Sequence, residues 1–220
     1  MKLFNKNKRA FTLAEVLITL VIIGVVAAIT VPTIIANSKD EEIKSMLKKN
    51  HSVIAQALYR YYLEQGYNPS GREFDARTFK DIFKKGFNVL KDYGITGLYS
   101  SGKNSDLYKN YTGTSNLDFY IFDDGQFIIN DGTLIMVENP SLGAGKNRVI
   151  ISVDVNGPFK KPNRLGKDLF MFHLLDNGKL LPMGHKDTLY PYDKYCSKTS
   201  SDKMNGAGCT VKVLGQFESK

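Results

Sequence analysis

This 220-residue chain has no tryptophan, three histidines and two cysteines. His51, His173 and His185 are too scattered to mark a metal centre, so each reads as a surface or packing residue. There is no Gly-x-Ser-x-Gly, no His-Glu-x-x-His, no Gly-rich phosphate loop and no dinucleotide fingerprint. Those absences exclude the hydrolase, zinc-protease and nucleotide-binding classes that such motifs announce, and the chain reads as a non-enzyme. Charge is missing from one long stretch: Val16 to Ser38, 23 residues, carries none. The formal net charge of +8 is itself uneven, because Lys2, Lys6, Lys8 and Arg9 supply four cations and the first ten residues hold no acid. Loss of that leader would bring the total to +4, which argues against nucleic acid as a partner.

What is present is an apolar run long enough to cross a bilayer core, which takes about 20 residues. It belongs to an apolar helix expected to begin at Phe11, after a basic leader, and one acid, Glu15, interrupts that helix in its second turn. A carboxylate near lipid is costly, about 2.5–3.5 kcal/mol at mid-membrane and less near the surface. No Lys or Arg within the run neutralises it. A cleaved signal peptide could use Val26-Ala27-Ala28, but the apolar run continues to Ala36 and Glu15 would then have no purpose. Pro32 removes a helix hydrogen bond and predicts a kink; Gly24 offers a close packing point.

Lys8-Arg9-Ala10-Phe11-Thr12-Leu13-Ala14-Glu15-Val16-Leu17-Ile18 resembles the class III leader and N-methylation motif of type IV pilins and type II secretion pseudopilins. The resemblance implies cleavage between Ala10 and Phe11 by a prepilin peptidase, then N-methylation of Phe11. The family prefers Gly before the cut; this chain keeps a small residue, Ala10. Glu15 would then serve assembly, pairing with the new amine of Phe11 in its own subunit or a neighbouring one.

The implied fold is α+β: a long N-terminal helix, half transmembrane and half amphipathic, packed on an antiparallel sheet in a pilin-like manner. Residues 1–10 are the leader, 11–36 the transmembrane and filament-core helix, and 37–65 its amphipathic continuation. Residues 66–220 form the extracytoplasmic globular domain. The implied function is a pseudopilin or minor pilin of a type II secretion or type IV pilus filament. Its partners would be other subunits, an inner-membrane assembly platform and the membrane. The alternative is a singly anchored extracytoplasmic binding protein outside any filament. Lys/Arg counts flanking the run are tied at four on each side, so the outward placement of the C-terminal domain rests on the cysteines and the resemblance. By that reading the subunit spans the plasma (inner) membrane once, and an extracellular or periplasmic filament forms later.

Ile43, Met46, Leu47, Ile54, Ala57, Leu58 and Tyr61 recur at helical spacing and predict a stripe packed on the domain's own sheet. Tyr59, Tyr61, Tyr62 and Tyr67 read as packing and rim aromatics rather than a base-stacking platform. Asp75 is expected to cap a second helix carrying Phe79, Ile82, Phe83 and Phe87, with Gly86 near its end. Ser100 to Asn116 reads as a surface loop. Strands are expected at Leu117–Phe122, Phe127–Asn130, Thr133–Glu138, Arg148–Val155 and Leu169–Leu175, with turns at Asp123–Gln126, Asp131-Gly132 and Asp176–Gly178.

Two constellations remain. Cys196 and Cys209 enclose a polar segment; in an exported chain they read as one disulfide, the alternatives being a free thiol pair or half a metal site. Asp154, Asn156, Asn163 and Asp168 offer oxygen ligands on a tight turn, and some pseudopilins bind calcium in a loop of this general kind. The spacing is not that of an EF-hand, and Lys160, Lys161, Arg164 and Lys167 oppose a divalent cation. The competing reading is a turn whose Asp and Asn side chains bond their own backbone. No cofactor is required; calcium is the one candidate.

Overall fold

A computed structural model describes residues 11–69, 74, 77–139 and 149–216. Ala10, the leader, Asp75, Gly71 and Arg148 lie outside the described residues, and so do the expectations that rest on them. The chain divides into two compact units at Glu42/Ile43, inside the first helix, α1, Leu13–Gln65.

In the first unit α1 is apolar all round from Val16 to Ala36. Val16, Leu17, Ile18, Leu20 to Ile23, Val25, Val26, Ile29, Ile34 and Ile35 are all exposed. The hydroxyls of this stretch turn inward. Thr19 donates to Val16 O at 2.9 Å, Thr30 to Val26 O at 2.9 Å and Thr33 to Ile29 O at 3.4 Å. Such back-bonding suits surroundings that offer no water. The helix runs through Pro32 without a break.

In the second unit, α1 from Ile43 onward buries Leu47, Asn50, Ile54, Ala57 and Leu58 against a six-stranded antiparallel sheet. The strands are β1 Val89–Gly94, β2 Gly125–Ile129, β3 Leu134–Glu138, β4 Val149–Asp154, β5 Leu169–Leu174 and β6 Leu180–Pro182. They lie in chain order, a pure meander. Alternation along the strands sends Phe127, Ile135, Val137, Ile151, Val153, Phe170 and Phe172 to the helix side. A five-residue helix, α2 Phe79–Phe83, and a following 3-10 turn, Lys84–Gly86, close that side. Gly86 is required there: a Cβ would meet the Ala57 Cβ at 2.6 Å.

The other face is also buried, and the sequence does not announce it. Ile128, Leu134, Met136, Ile150, Leu169 and Met171 pack against Leu98, Tyr99, Tyr108, Leu117, Phe122, Leu165, Met183, Met204 and Ala207. These covering residues come mainly from loops. The stretch read as a surface loop, Ser100–Asn116, therefore contributes core: Tyr108 and Asn110 are fully buried. Leu117–Phe122 is not a strand. Asp118 accepts from Tyr120 N at 3.3 Å and caps a 3-10 turn, Phe119–Ile121, which drops Phe122 into the core. Asp123–Gln126 is not wholly a turn either, because β2 already begins at Gly125. Gln126 explains why: its Oε1 accepts from Leu98 N and Tyr99 N at 2.9 Å, and its Nε2 donates to Tyr99 O and Phe122 O. One buried amide thus ties the covering loop to β2 with its polar atoms satisfied.

Candidate functional site

The N-terminal motif acquires local geometry in the structure. Thr12 caps α1: Glu15 N donates to Thr12 Oγ1 at 3.2 Å. Glu15 Oε2 accepts in return from Thr12 N and Thr12 Oγ1, both at 2.8 Å. This is a reciprocal capping box, Thr at the cap and Glu three residues on. Glu15 is therefore not a bare acid within its own subunit. Thr12-x-x-Glu15 was the signal for it, and a reading centred on charge passes over it. Phe11 precedes the cap and is 86% exposed. Among the described residues, α1 is the one helix long and apolar enough to cross a membrane.

The two late constellations turn out to be one assembly. Cys196 and Cys209 form a disulfide with Cα atoms 4.9 Å apart. The enclosed segment folds around Asn205, whose Oδ1 accepts from Ser197 N at 2.9 Å and whose Nδ2 donates to Ser197 O and Ser200 O. Short helices flank it: α3, Tyr192–Tyr195, and α4, Thr210–Val213. Gly206, at φ +113°, lies against the neighbouring loop so closely that a Cβ would collide with Leu165 O.

Asp154, Asn156, Asn163 and Asp168 do come together at the β4–β5 loop. Asp154 is fully buried; its Oδ1 accepts from Gly157 N at 3.0 Å and its Oδ2 from Tyr108 Oη at 2.6 Å. Burial pushes its carboxyl up to about 7 against the Tyr108 bond, and the charge of Asp168 adds to the rise. Asp168 Oδ2 accepts from Asn163 N at 2.8 Å and Oδ1 from Arg164 N at 2.7 Å. Burial raises its carboxyl too, and those backbone donors hold the rise back. Asn163 Nδ2 donates to Pro158 O at 3.0 Å, whereas Asn156 Oδ1 and Asn163 Oδ1 are buried with no hydrogen-bond partner. All four carboxylate oxygens are thus engaged by the protein, mostly by its own backbone.

A third loop binds both. Lys109 N donates to Asn163 O at 3.0 Å, and Leu165 N donates to Lys109 O at 2.9 Å. Tyr111 N donates to Asn205 O at 2.8 Å, and Asn110 Nδ2 donates to Asp202 O at 3.1 Å. Tyr108, Asn110 and Asn205 are the residues that make this network, and nothing in their sequence spacing indicates it.

Sequence reading also missed Asp123, Asp124 and Glu138, which among the described residues bring one carboxylate oxygen each within 4.8 Å of one another. Asp124 is engaged by Arg77 Nε at 2.9 Å and Asn139 N at 2.8 Å. Burial and the adjacent Asp124 push Asp123 above the ordinary carboxylate range. The three histidines stay apart: His51 stacks on Phe172 at 5.3 Å, His173 lies on β5, and His185 pairs with Asp187.

Residues 5–31 match the family model of the prokaryotic N-terminal methylation motif. No curated protein and no solved structure matches the chain. The match supports a type IV pilin-like class III signal peptide at the N-terminus. Behind it, a long N-terminal helix packs with a six-stranded antiparallel sheet in an α+β, pilin-like architecture. The motif implies processing by a prepilin peptidase and assembly with other pilin subunits, and the apolar helix is compatible with a membrane anchor.

Proposed function

We propose that this chain is a pseudopilin or minor pilin, a non-enzymatic subunit of a type II secretion or type IV pilus filament. The peptidase cuts between Ala10 and Phe11 and methylates Phe11. Before assembly α1 holds the subunit in the plasma membrane with the sheet domain outside. Afterwards the same apolar surface packs in a filament core, engaged by an inner-membrane assembly platform.

One observation carries the reading. The matched methylation motif coincides with a helix segment whose large apolar side chains are exposed throughout, broken by one acid in its first turn. In the separate subunit Thr12 partners that acid. Cleavage creates a cation at Phe11, four residues away, and gives Glu15 a charged alternative within the subunit or on a neighbour. An ion pair that becomes buried on assembly sets register more than stability. The test is Glu15→Val, assayed for membrane insertion and for capture of partner subunits. Insertion is expected to persist and capture to fall; capture equal to the parent contradicts the role given to Glu15.

A further inference from the structure

The β4–β5 loop ends in an exposed tip that filament assembly through α1 does not use. Phe159 is 78% exposed, and Lys160 and Lys161 beside it are exposed as well. Slack does not account for that exposure, because the tip is pinned on both sides. Lys160 N donates to Gly157 O at 3.1 Å and Asn163 Nδ2 to Pro158 O at 3.0 Å. Gly157, at φ +85°, lies so near the β2–β3 turn that a Cβ would meet Gly132 O at 2.5 Å.

The charge of the tip segment itself is of one sign. Residues 155–167 hold four cations, Lys160, Lys161, Arg164 and Lys167, and no acid. Lys109 is fastened beside them by its two backbone hydrogen bonds to this loop. The loop's two acids, Asp154 and Asp168, are buried beneath and hydrogen-bonded by the protein, so they do not screen the surface. Lys160, Lys161, Lys167 and Lys109 are exposed and Arg164 half-buried.

We propose that this tip is a contact surface for anionic phospholipid headgroups, with Phe159 entering the interfacial layer and the five cations meeting phosphates. Aromatic rings and Lys or Arg side chains together favour the membrane–water interface, and each cation near an anionic leaflet is attracted to it. The inference rests on the reading of α1 as a membrane anchor, since tethering makes a weak second contact effective. A nucleic-acid strand shares the phosphate chemistry but calls for successive free ring faces. The ring face of Tyr111 is taken by Lys167 Nζ, seated over it at 4.6 Å, and Phe159 stacks on no other ring among the described residues.

The absence of tryptophan makes the test direct, because Phe159→Trp is then the sole indole emitter. The full chain is reconstituted into bicellar discs, which hold no scaffold protein, of phosphatidylcholine alone or with one-third phosphatidylglycerol. The expected result is a blue shift of emission in the anionic discs only, reversed by high salt. The shift is lost when Lys109, Lys160, Lys161 and Lys167 are all changed to Gln. Equal spectra in both discs, or a shift that survives the four replacements, overturns the proposal. So does a shift produced by an added oligonucleotide in phosphatidylcholine discs and not by phosphatidylglycerol. A chain that co-elutes with neither disc overturns the anchor reading, and this inference with it.

Discussion

Tyr108 Oη donates to Asp154 Oδ2 at 2.6 Å, and both residues are wholly buried. This bond joins the loop before β2 to the end of β4, across the face of the sheet that α1 leaves uncovered. Tyr108→Phe removes the donor and leaves a buried acceptor short of a partner. Loss of about 1–3 kcal/mol is expected, because an unsatisfied buried polar atom loses its solvation without recompense. Urea unfolding of the parent and variant checks it; equal midpoints would mean that the bond adds nothing.

The disulfide closes another loop of the same layer, Cys196–Cys209. Its segment contributes Met204 and Ala207 to the core, both nearly or fully buried. Cys196→Ser with Cys209→Ser is expected to cost about 3 kcal/mol in the chain-entropy treatment of a loop this size. The comparison is the denaturant midpoint of oxidised chain, reduced chain and double variant. The reduced chain and the variant should agree, and both should fall below the oxidised form.

Asp92 on β1 supplies a pH-dependent contribution. Burial works against its charge. Hydrogen bonds from Lys84 Nζ at 2.8 Å, Gly94 N at 2.8 Å and Lys80 Nζ at 3.0 Å outweigh burial and hold its carboxyl at about 2. A carboxyl depressed in the folded chain stabilises above its unfolded value, 3.8, and that stability drains away as pH falls through about 2. Thermal unfolding between pH 4 and pH 2 should show the midpoint falling, and Asp92→Asn should flatten this part of the profile. An unchanged slope in the variant would assign the acid sensitivity elsewhere.

The four oxygen ligands expected for calcium do share one loop, but the carboxylates already accept from Gly157, Asn163, Arg164 and Tyr108. The expected outcome of calorimetry with millimolar calcium is no heat of binding. Saturable heat, removed by Asp168→Asn, would show that Asn156 Oδ1 and Asn163 Oδ1 turn to a cation instead.

Elements governed by strong local periodicity could be read directly. The apolar run and the stripe from Ile43 to Tyr61 predicted α1, and the Asp131-Gly132 turn predicted the β2–β3 hairpin. Strands β4 and β5 were placed to within a residue or two, since Val149–Asp154 and Leu169–Leu174 are almost continuously apolar. Edge strands escaped. In β1, Val-Leu-Lys-Asp-Tyr-Gly pairs on one side only and has irregular register, and β6 is three residues ending in Pro182. The loop layer was the larger omission. Tyr108, Asn110, Gln126 and Asn205 cover the second face through tertiary hydrogen bonds, and such bonds leave no period in a sequence. At the N-terminus the charge pattern located Glu15, while the cap that partners it lay in the hydroxyl of Thr12.

The decisive measurement is the mass and sequence of the first residue of the chain recovered from membranes of cells that hold a prepilin peptidase. The account predicts N-methylphenylalanine at Phe11, with the ten preceding residues gone and Glu15 in the fifth position. A mature chain that still begins at Met1, or one that starts at Ile29 after ordinary signal-peptide cleavage, would contradict it.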